Sequence, residues 1–243
     1  VAAGYALLPA ATSAVSQGRL DVVVVHVMTP LVFAGVVAVL RGGSGTSWLP
    51  VASGTALAVA AVGAFSPFVH GLVALAALVG FVVVPGRHGD GRRRVAALFM
   101  IVLLPMALLL PWPAVVLQNP SVVLHGVGAF VESPAVGLVD LLSLRPGGPG
   151  ALPFVGFVVV GFALAALVLR PSRPMLAGLA VVVLGGFAVI VLRTVSVTPL
   201  PGGPASPGWT GGPLVLVGWG LLWVVLSAFR RDADPAPPRF RRV

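Results

Sequence analysis

Long apolar runs alternate with short polar breaks along this chain. A helix that crosses a bilayer needs about 20 mainly apolar residues. Runs of that kind occupy 22–40, 48–65, 68–85 and 95–111, and then, after a long connection, 152–169, 175–192 and 213–229. Residues 1–15 read as the end of a further, partial span. The pattern predicts an all-α membrane protein, a polytopic helix bundle with about seven transmembrane helices. Only Ser66-Pro67 separates the second run from the third. Pro30 and Pro105 fall inside runs and predict kinks, because proline cannot donate to the helical ladder.

The connection 112–151 is too apolar for a free loop. Trp112 stands where interfacial aromatics gather. Ser133-Pro134 reads as a helix cap and first helical residue, and Arg145-Pro146-Gly147-Gly148 as a terminator. A short extracytoplasmic helix is therefore predicted near 134–144, lying on the membrane face or packed against the spans. Residues 193–212 read as an irregular Pro/Gly loop, and 230–243 (RRDADPAPPRFRRV) as a disordered basic cytoplasmic tail.

Composition narrows the class. The chain has 243 residues, of which 58% are hydrophobic and only 9% charged. Its mean hydropathy is +1.08. A soluble domain averages about 25% charged residues, and this chain cannot build such a polar shell. The 31 glycines and 23 prolines follow no collagen-like repeat. Cysteine is absent, which excludes disulfides, thiolate metal sites and a cysteine nucleophile. All fifteen basic residues are arginine, and with the Ala/Val/Gly/Leu bias this suggests a GC-rich bacterial gene. The net charge of +9 would suggest nucleic acid in a soluble protein. Here the arginines flank apolar runs, as the positive-inside rule expects, and no nucleic-acid partner is implied. With the loop Gly86–Arg94 in the cytoplasm, Arg41, Arg87, Arg92, Arg93, Arg94, Arg170, Arg173, Arg230, Arg231, Arg239, Arg241 and Arg242 fall inside. Arg19, Arg145 and Arg193 fall outside. The expected location is the cell membrane, multi-pass, with the C-terminal tail cytoplasmic. The first residue is Val and the opening lacks a basic leader, so the chain is expected to begin inside a longer protein.

Ionisable residues are few. Asp21, two positions after Arg19 at the start of a run, reads as a solvated turn. His26 reads as a buried histidine with a satisfied hydrogen bond, and His70 lies just inside its run. Glu132, Asp140, Arg145 and His125 share the extracytoplasmic stretch. On one helix Glu132 and Asp140 would stand about 12 Å apart along the axis, too far to act on one bond. Asp140 is expected to pair with Arg145 or to face water. No spacing suits a metal, and no nucleotide-binding or hydrolase motif occurs, so no catalytic residue, metal or cofactor is assigned. Arg19, Asp140 and Arg145 are the candidates for polar contacts. Gly156, Gly161, Gly185 and Gly186 read as close helix packing. No carboxylate sits in the middle of a run, which weighs against a proton-coupled transporter.

Three groups of segments resemble the C-terminal polytopic membrane region of large actinobacterial family 2 glycosyltransferases. The first is AGYALLPAATSAVSQGRLD, with Tyr5–Pro9 followed by the turn Gly18-Arg19-Leu20. The second is LLPMALLLPWPAVVLQNP followed by LLSLRPGGPG, and the third is SPGWTGGPLVLVGWGLL. The resemblance implies a membrane-embedded region of a transferase of cell-envelope glycan or glycolipid assembly. Its implied partners are the lipid bilayer, a lipid-linked glycan acceptor and other envelope-assembly membrane proteins. The family's catalytic domain, with its nucleotide-sugar and its acidic metal-binding motif, has no counterpart here. Asp232-Ala233-Asp234 matches that motif by letters only. The alternatives are a small transporter or permease subunit and a non-catalytic membrane assembly partner.

Overall fold

Proline and glycine set most of the helix boundaries. The computed structural model describes residues 1–41, 47–84, 90–126, 136–200 and 202–229. In chain order these form α1 (Ala2–Ala6), α2 (Pro9–Ser16), α3 (Leu20–Arg41), α4 (Trp48–Phe65), α5 (Pro67–Val83) and α6 (Gly91–Leu108). The short helices α7 (Trp112–Gln118), α8 (Pro120–His125) and α9 (Leu138–Leu142) follow. Then come α10 (Pro153–Leu169), α11 (Met175–Thr194), a two-residue hairpin of β1 (Ser196–Val197) and β2 (Ser206–Pro207), and α12 (Gly211–Phe229). The structure is mostly helical.

By length and hydropathy α3, α4, α11 and α12 can each cross a membrane. A fifth span results if α6 and α7, bent by 81° at their junction, count as one. Residues 67–82 and 154–169 form shorter apolar helices. The Ser66-Pro67 break is real: Ser66 leaves helical geometry (φ −138°, ψ 84°) and α5 starts on Pro67.

Residues 1–15 form two helices rather than one continuous piece of span. Pro9 lacks an N–H and forces Leu8 into extended geometry (φ −52°, ψ 129°). The two helices nevertheless run along α12. Gly4 lies against Leu222, Leu8 against Gly218, and Ser13 and Ser16 reach the 147–149 loop. The single helix expected at 134–144 shows as the five residues of α9. Its expected cap, Ser133-Pro134, lies outside the described residues, as do Glu132, Arg87 and the tail 230–243. Leu144 (φ 57°), followed by Gly147 and Gly148 at positive φ, stops it.

The hub is α12, packed against α11, α10, α3, α2 and α1. In its apolar window 67% of residues are buried inside the protein, against 33–39% for the other three long helices. Leu214, Val215, Leu216, Val224 and Val225 fill the interior while the outer helices expose leucine, valine and phenylalanine. That is the burial order of a bundle whose rim faces lipid. Glycines allow the closest approach: a Cβ on Gly178 would stand 2.7 Å from the Gly220 carbonyl oxygen, and one on Gly220 2.7 Å from that of Gly178. Gly156 and Gly185 are likewise pressed against neighbours. Gly161 and Gly186 have nothing within 4 Å, so those two are not packing glycines.

Side-chain donors fill gaps that prolines leave in the helical ladder. Residue i+4 normally supplies the N–H for carbonyl i, and a proline there supplies none. The Gly63 carbonyl, four residues before Pro67, accepts from Trp112 Nε1 at 3.3 Å. The Phe81 carbonyl, in the last turn of α5, accepts from Arg94 Nη2 at 3.0 Å, and the same nitrogen reaches the Val84 carbonyl at 2.6 Å. Arg94 also lies 5.0 Å over the Phe81 ring. It ties the start of α6 to the end of α5, where a cation suits the helix dipole.

Candidate functional site

Most of the buried polar side chains among the described residues lie at one end of the bundle, where α2 turns into α3. Gly18 sits in the left-handed region (φ +67°). Its N–H bonds the Val15 carbonyl at 3.2 Å, and the Arg19 N–H bonds that of Ala14 at 2.8 Å. This is a Schellman termination, and it explains why Gly-Arg-Leu forms a tight turn. The Arg19 carbonyl then accepts from Val22 and Val23 and opens α3.

The turn aims Arg19 at Asp21. The fork is bidentate, with Nε to Oδ1 at 3.0 Å and Nη2 to Oδ2 at 2.8 Å. Nη2 also donates to the His125 carbonyl at 2.8 Å, and the guanidinium lies 4.8 Å over the Trp209 ring. Arg19 is 7% exposed and Asp21 5%. The solvated turn expected at Asp21 is therefore corrected to a buried ion pair. The C-terminus of α8 and the loop before α12 close over it, and both are remote in sequence.

His125 bridges the same two segments. Its Nδ1 lies 3.2 Å from the Ser121 carbonyl and its Nε2 lies 3.2 Å from Ser206 Oγ. A carbonyl only accepts, so Nδ1 carries a proton, and in the neutral ring Nε2 then accepts from the serine hydroxyl. The hairpin, with Val197 opposite Ser206 and Ser196 opposite Pro207, fixes the serine. Gly208 lets the hairpin approach α8 closely: a Cβ there would stand 2.5 Å from the Leu124 carbonyl oxygen. A small cavity beside these groups is lined by Arg19, Asp21, Ser66, His125, Gly126 and Trp209, among others. Its water-accessible volume of about 20 Å³ has room for about one water. Trp209 Nε1 and Thr210 Oγ1 are buried with no hydrogen-bond partner among the described residues.

Asp140 and Arg145 pair with each other at 3.2 Å, partly exposed. Asp140 also accepts from the Gly137 N–H at 3.2 Å and so caps α9. Among the described residues they are not ion-paired with Arg19, which pairs with Asp21 instead. Their loop is instead fastened to α2. Ser13 donates to the carbonyls of Gly147 (3.3 Å) and Pro149 (3.1 Å), Ser16 to Pro149 (2.9 Å) and Gln17 to Gly147 (3.0 Å).

The two histidines inside helices stand apart. His26 stacks on Tyr5 with ring centroids 4.2 Å apart. Its Nδ1 is buried without a partner among the described residues, contrary to the satisfied hydrogen bond expected there. His70 is buried against Gly63, and its Nε2 has no described partner. No group of three His, Cys, Asp or Glu among the described residues could hold a metal. Sequence reasoning missed Trp209 and Ser206. The signal was an aromatic enclosed by glycines in Gly208-Trp209-Thr210-Gly211-Gly212, a loop that has to come close to something. No family model, curated protein or solved structure matches the chain.

Proposed function

We propose that the chain is the membrane-embedded region of a glycosyltransferase-like protein of cell-envelope glycan or glycolipid assembly, without a catalytic domain of its own. Seven spans result when α5, α6 and α10 are counted with the four long helices. The end bearing Arg41, Arg92, Arg93, Arg94, Arg170 and Arg173 then faces the cytoplasm, and the tail leaves on that side. The observation that carries the reading is convergence. The segments that resemble the glycosyltransferase family meet at one end of the bundle. Arg19 of the first lies over Trp209 of the third. Ser13 and Gln17 of the first bond Gly147 and Pro149 of the second. A shared docking face for a lipid-linked acceptor would call for that grouping on the extracytoplasmic side.

The test compares membranes carrying the complete gene with membranes carrying the 243-residue chain. Transfer from labelled nucleotide-sugars to membrane lipid or glycan is measured in both. Transfer is expected from the complete gene and not from the chain alone. A complete gene that encodes no nucleotide-sugar domain, or one whose transfer is unchanged when this region is deleted, overturns the proposal.

A further inference from the structure

The path from the Ser121 carbonyl through His125 to Ser206 has the ordering of a nucleophile, its base and the group that orients the base. The Ser121 carbonyl holds the proton on Nδ1, so the lone pair of Nε2 faces the Ser206 hydroxyl. That tautomer is the one that withdraws a hydroxyl proton. Both 3.2 Å separations lie at the long end of the range, as is common before a substrate is bound. The ring is held from its own backbone too, because Arg19 grips the His125 carbonyl at 2.8 Å. Ser206 and His125 are both half-buried, which leaves them within reach from outside.

Two features indicate the substrate. Trp209, whose ring lies 4.8 Å from the Arg19 guanidinium and which lines the same small cavity as His125, has a buried Nε1 without a described partner. A buried indole N–H with no described partner can donate to an oxygen that gains negative charge. In addition, α7, which leads into α8 and His125, leaves Leu117 84% exposed, with Leu110 just before it also exposed. An 81° bend lays this apolar helix across the end of α6, the geometry of a helix lying in the membrane interface. An ester presented there belongs to an amphiphile.

We propose that Ser206 is a nucleophile and His125 its general base in an acyl-transfer site for carboxylic esters of amphiphiles. Ser206 Oγ attacks the ester carbonyl carbon while its proton passes to His125 Nε2. The tetrahedral intermediate collapses, the ester C–O bond breaks, and the leaving alkoxide takes the proton from Nε2. Ser206 is left as an O-acyl ester. A water or an acceptor hydroxyl then gives its proton to Nε2 and attacks the acyl carbon; the bond from the acyl carbon to Ser206 Oγ breaks, and Nε2 returns the proton to that oxygen. No oxidant, reductant or second cofactor is needed. The site is independent of the glycosyltransferase reading, because its assay contains no sugar.

The test uses the full chain in detergent micelles with a fluorophosphonate probe, and with 4-nitrophenyl butyrate as ester. Labelling is expected on Ser206, and Ser206→Ala should abolish it. His125→Gln should slow labelling and ester cleavage by about 100-fold or more. Ser196→Ala, on the facing strand, should label like the unsubstituted protein. Tryptophan fluorescence on heating reports whether each variant is folded, and His125→Gln decides the matter if Ser206→Ala is not. Equal labelling of the unsubstituted protein and Ser206→Ala overturns the proposal. So does an unlabelled parent chain, or a His125→Gln variant that reacts at the parent rate.

Discussion

Tyr5 donates its hydroxyl to the carbonyl of His26, the acceptor that Pro30 leaves empty four residues later. The phenol stands in for the backbone N–H that proline lacks. In lipid no water can take that place, so an orphaned carbonyl inside a span is expensive. The same solution recurs with Trp112 for Pro67. It lets the chain keep prolines in or beside long helices while every bridging donor locks one element to another.

Removing the phenol hydroxyl with Tyr5→Phe should therefore destabilise the protein by about 1–3 kcal/mol, the penalty for a buried unsatisfied acceptor. Pro30→Ala restores the N–H at that position and should largely cancel the loss when added to Tyr5→Phe. Unfolding of the two single variants and the double variant in mild detergent gives the coupling. Additive effects of the two changes would show that the hydroxyl does not serve the proline gap.

The Arg19–Asp21 pair invites a different cycle. Burial of two charges is tolerated only while they neutralise each other, and removing one partner strands the other. Asp21→Asn and Arg19→Met should each cost about 3–5 kcal/mol. Arg19→Met with Asp21→Leu should cost distinctly less than either alone. Thermal unfolding of the three variants checks the order. A double variant as damaged as the sum of the singles would mean that the bond to the His125 carbonyl and the stacking on Trp209 matter more than the ion pair.

How far the sequence disclosed this arrangement depends on distance along the chain. The helix break at Ser66-Pro67 was legible, because proline acts on its own neighbours, whereas the helix expected to run to 144 ends at Leu142, where Leu144 turns to positive φ. The Asp140–Arg145 pair was legible for the same reason, since five residues separate its members. The burial of Asp21 was not, because its cover comes from His125 and Trp209, more than a hundred residues away. Helices α7 and α8 were not expected, since only 134–144 was read as helical in this stretch; Pro113 and Pro120 occupy first-turn positions that proline suits. Neither Ser206 nor Trp209 could be assigned a partner from a Pro/Gly loop without periodicity.

Because the chain has no cysteine, its orientation can be read directly by single-cysteine labelling. Arg173→Cys lies in the turn between α10 and α11, and Gly203→Cys lies between β1 and β2, at the opposite end of α11. With a membrane-impermeant maleimide, intact cells should label the residue 203 thiol, and the residue 173 thiol should react only after the membrane is opened. The reverse result would invert the arginine-based orientation. Equal labelling of both in intact cells would place both ends of α11 on one side and remove it as a span.

Glycines that look alike in sequence should respond in opposite ways. A Cβ on Gly178 would stand 2.7 Å from the Gly220 carbonyl oxygen, and a carbonyl in a packed helix cannot move aside as a side-chain tip does. Gly178→Ala should force α11 away from α12 and destabilise the bundle by about 1–3 kcal/mol. Gly186 lies eight residues along the same helix with open space around its Cβ position. There the methyl meets no obstacle, and the lower backbone freedom of alanine favours the helix by up to about 1 kcal/mol. Gly186→Ala should therefore be neutral or stabilising. Melting temperatures of the two variants in one detergent decide it. A loss at Gly186 equal to that at Gly178 would mean that this face of α11 is covered by something other than lipid.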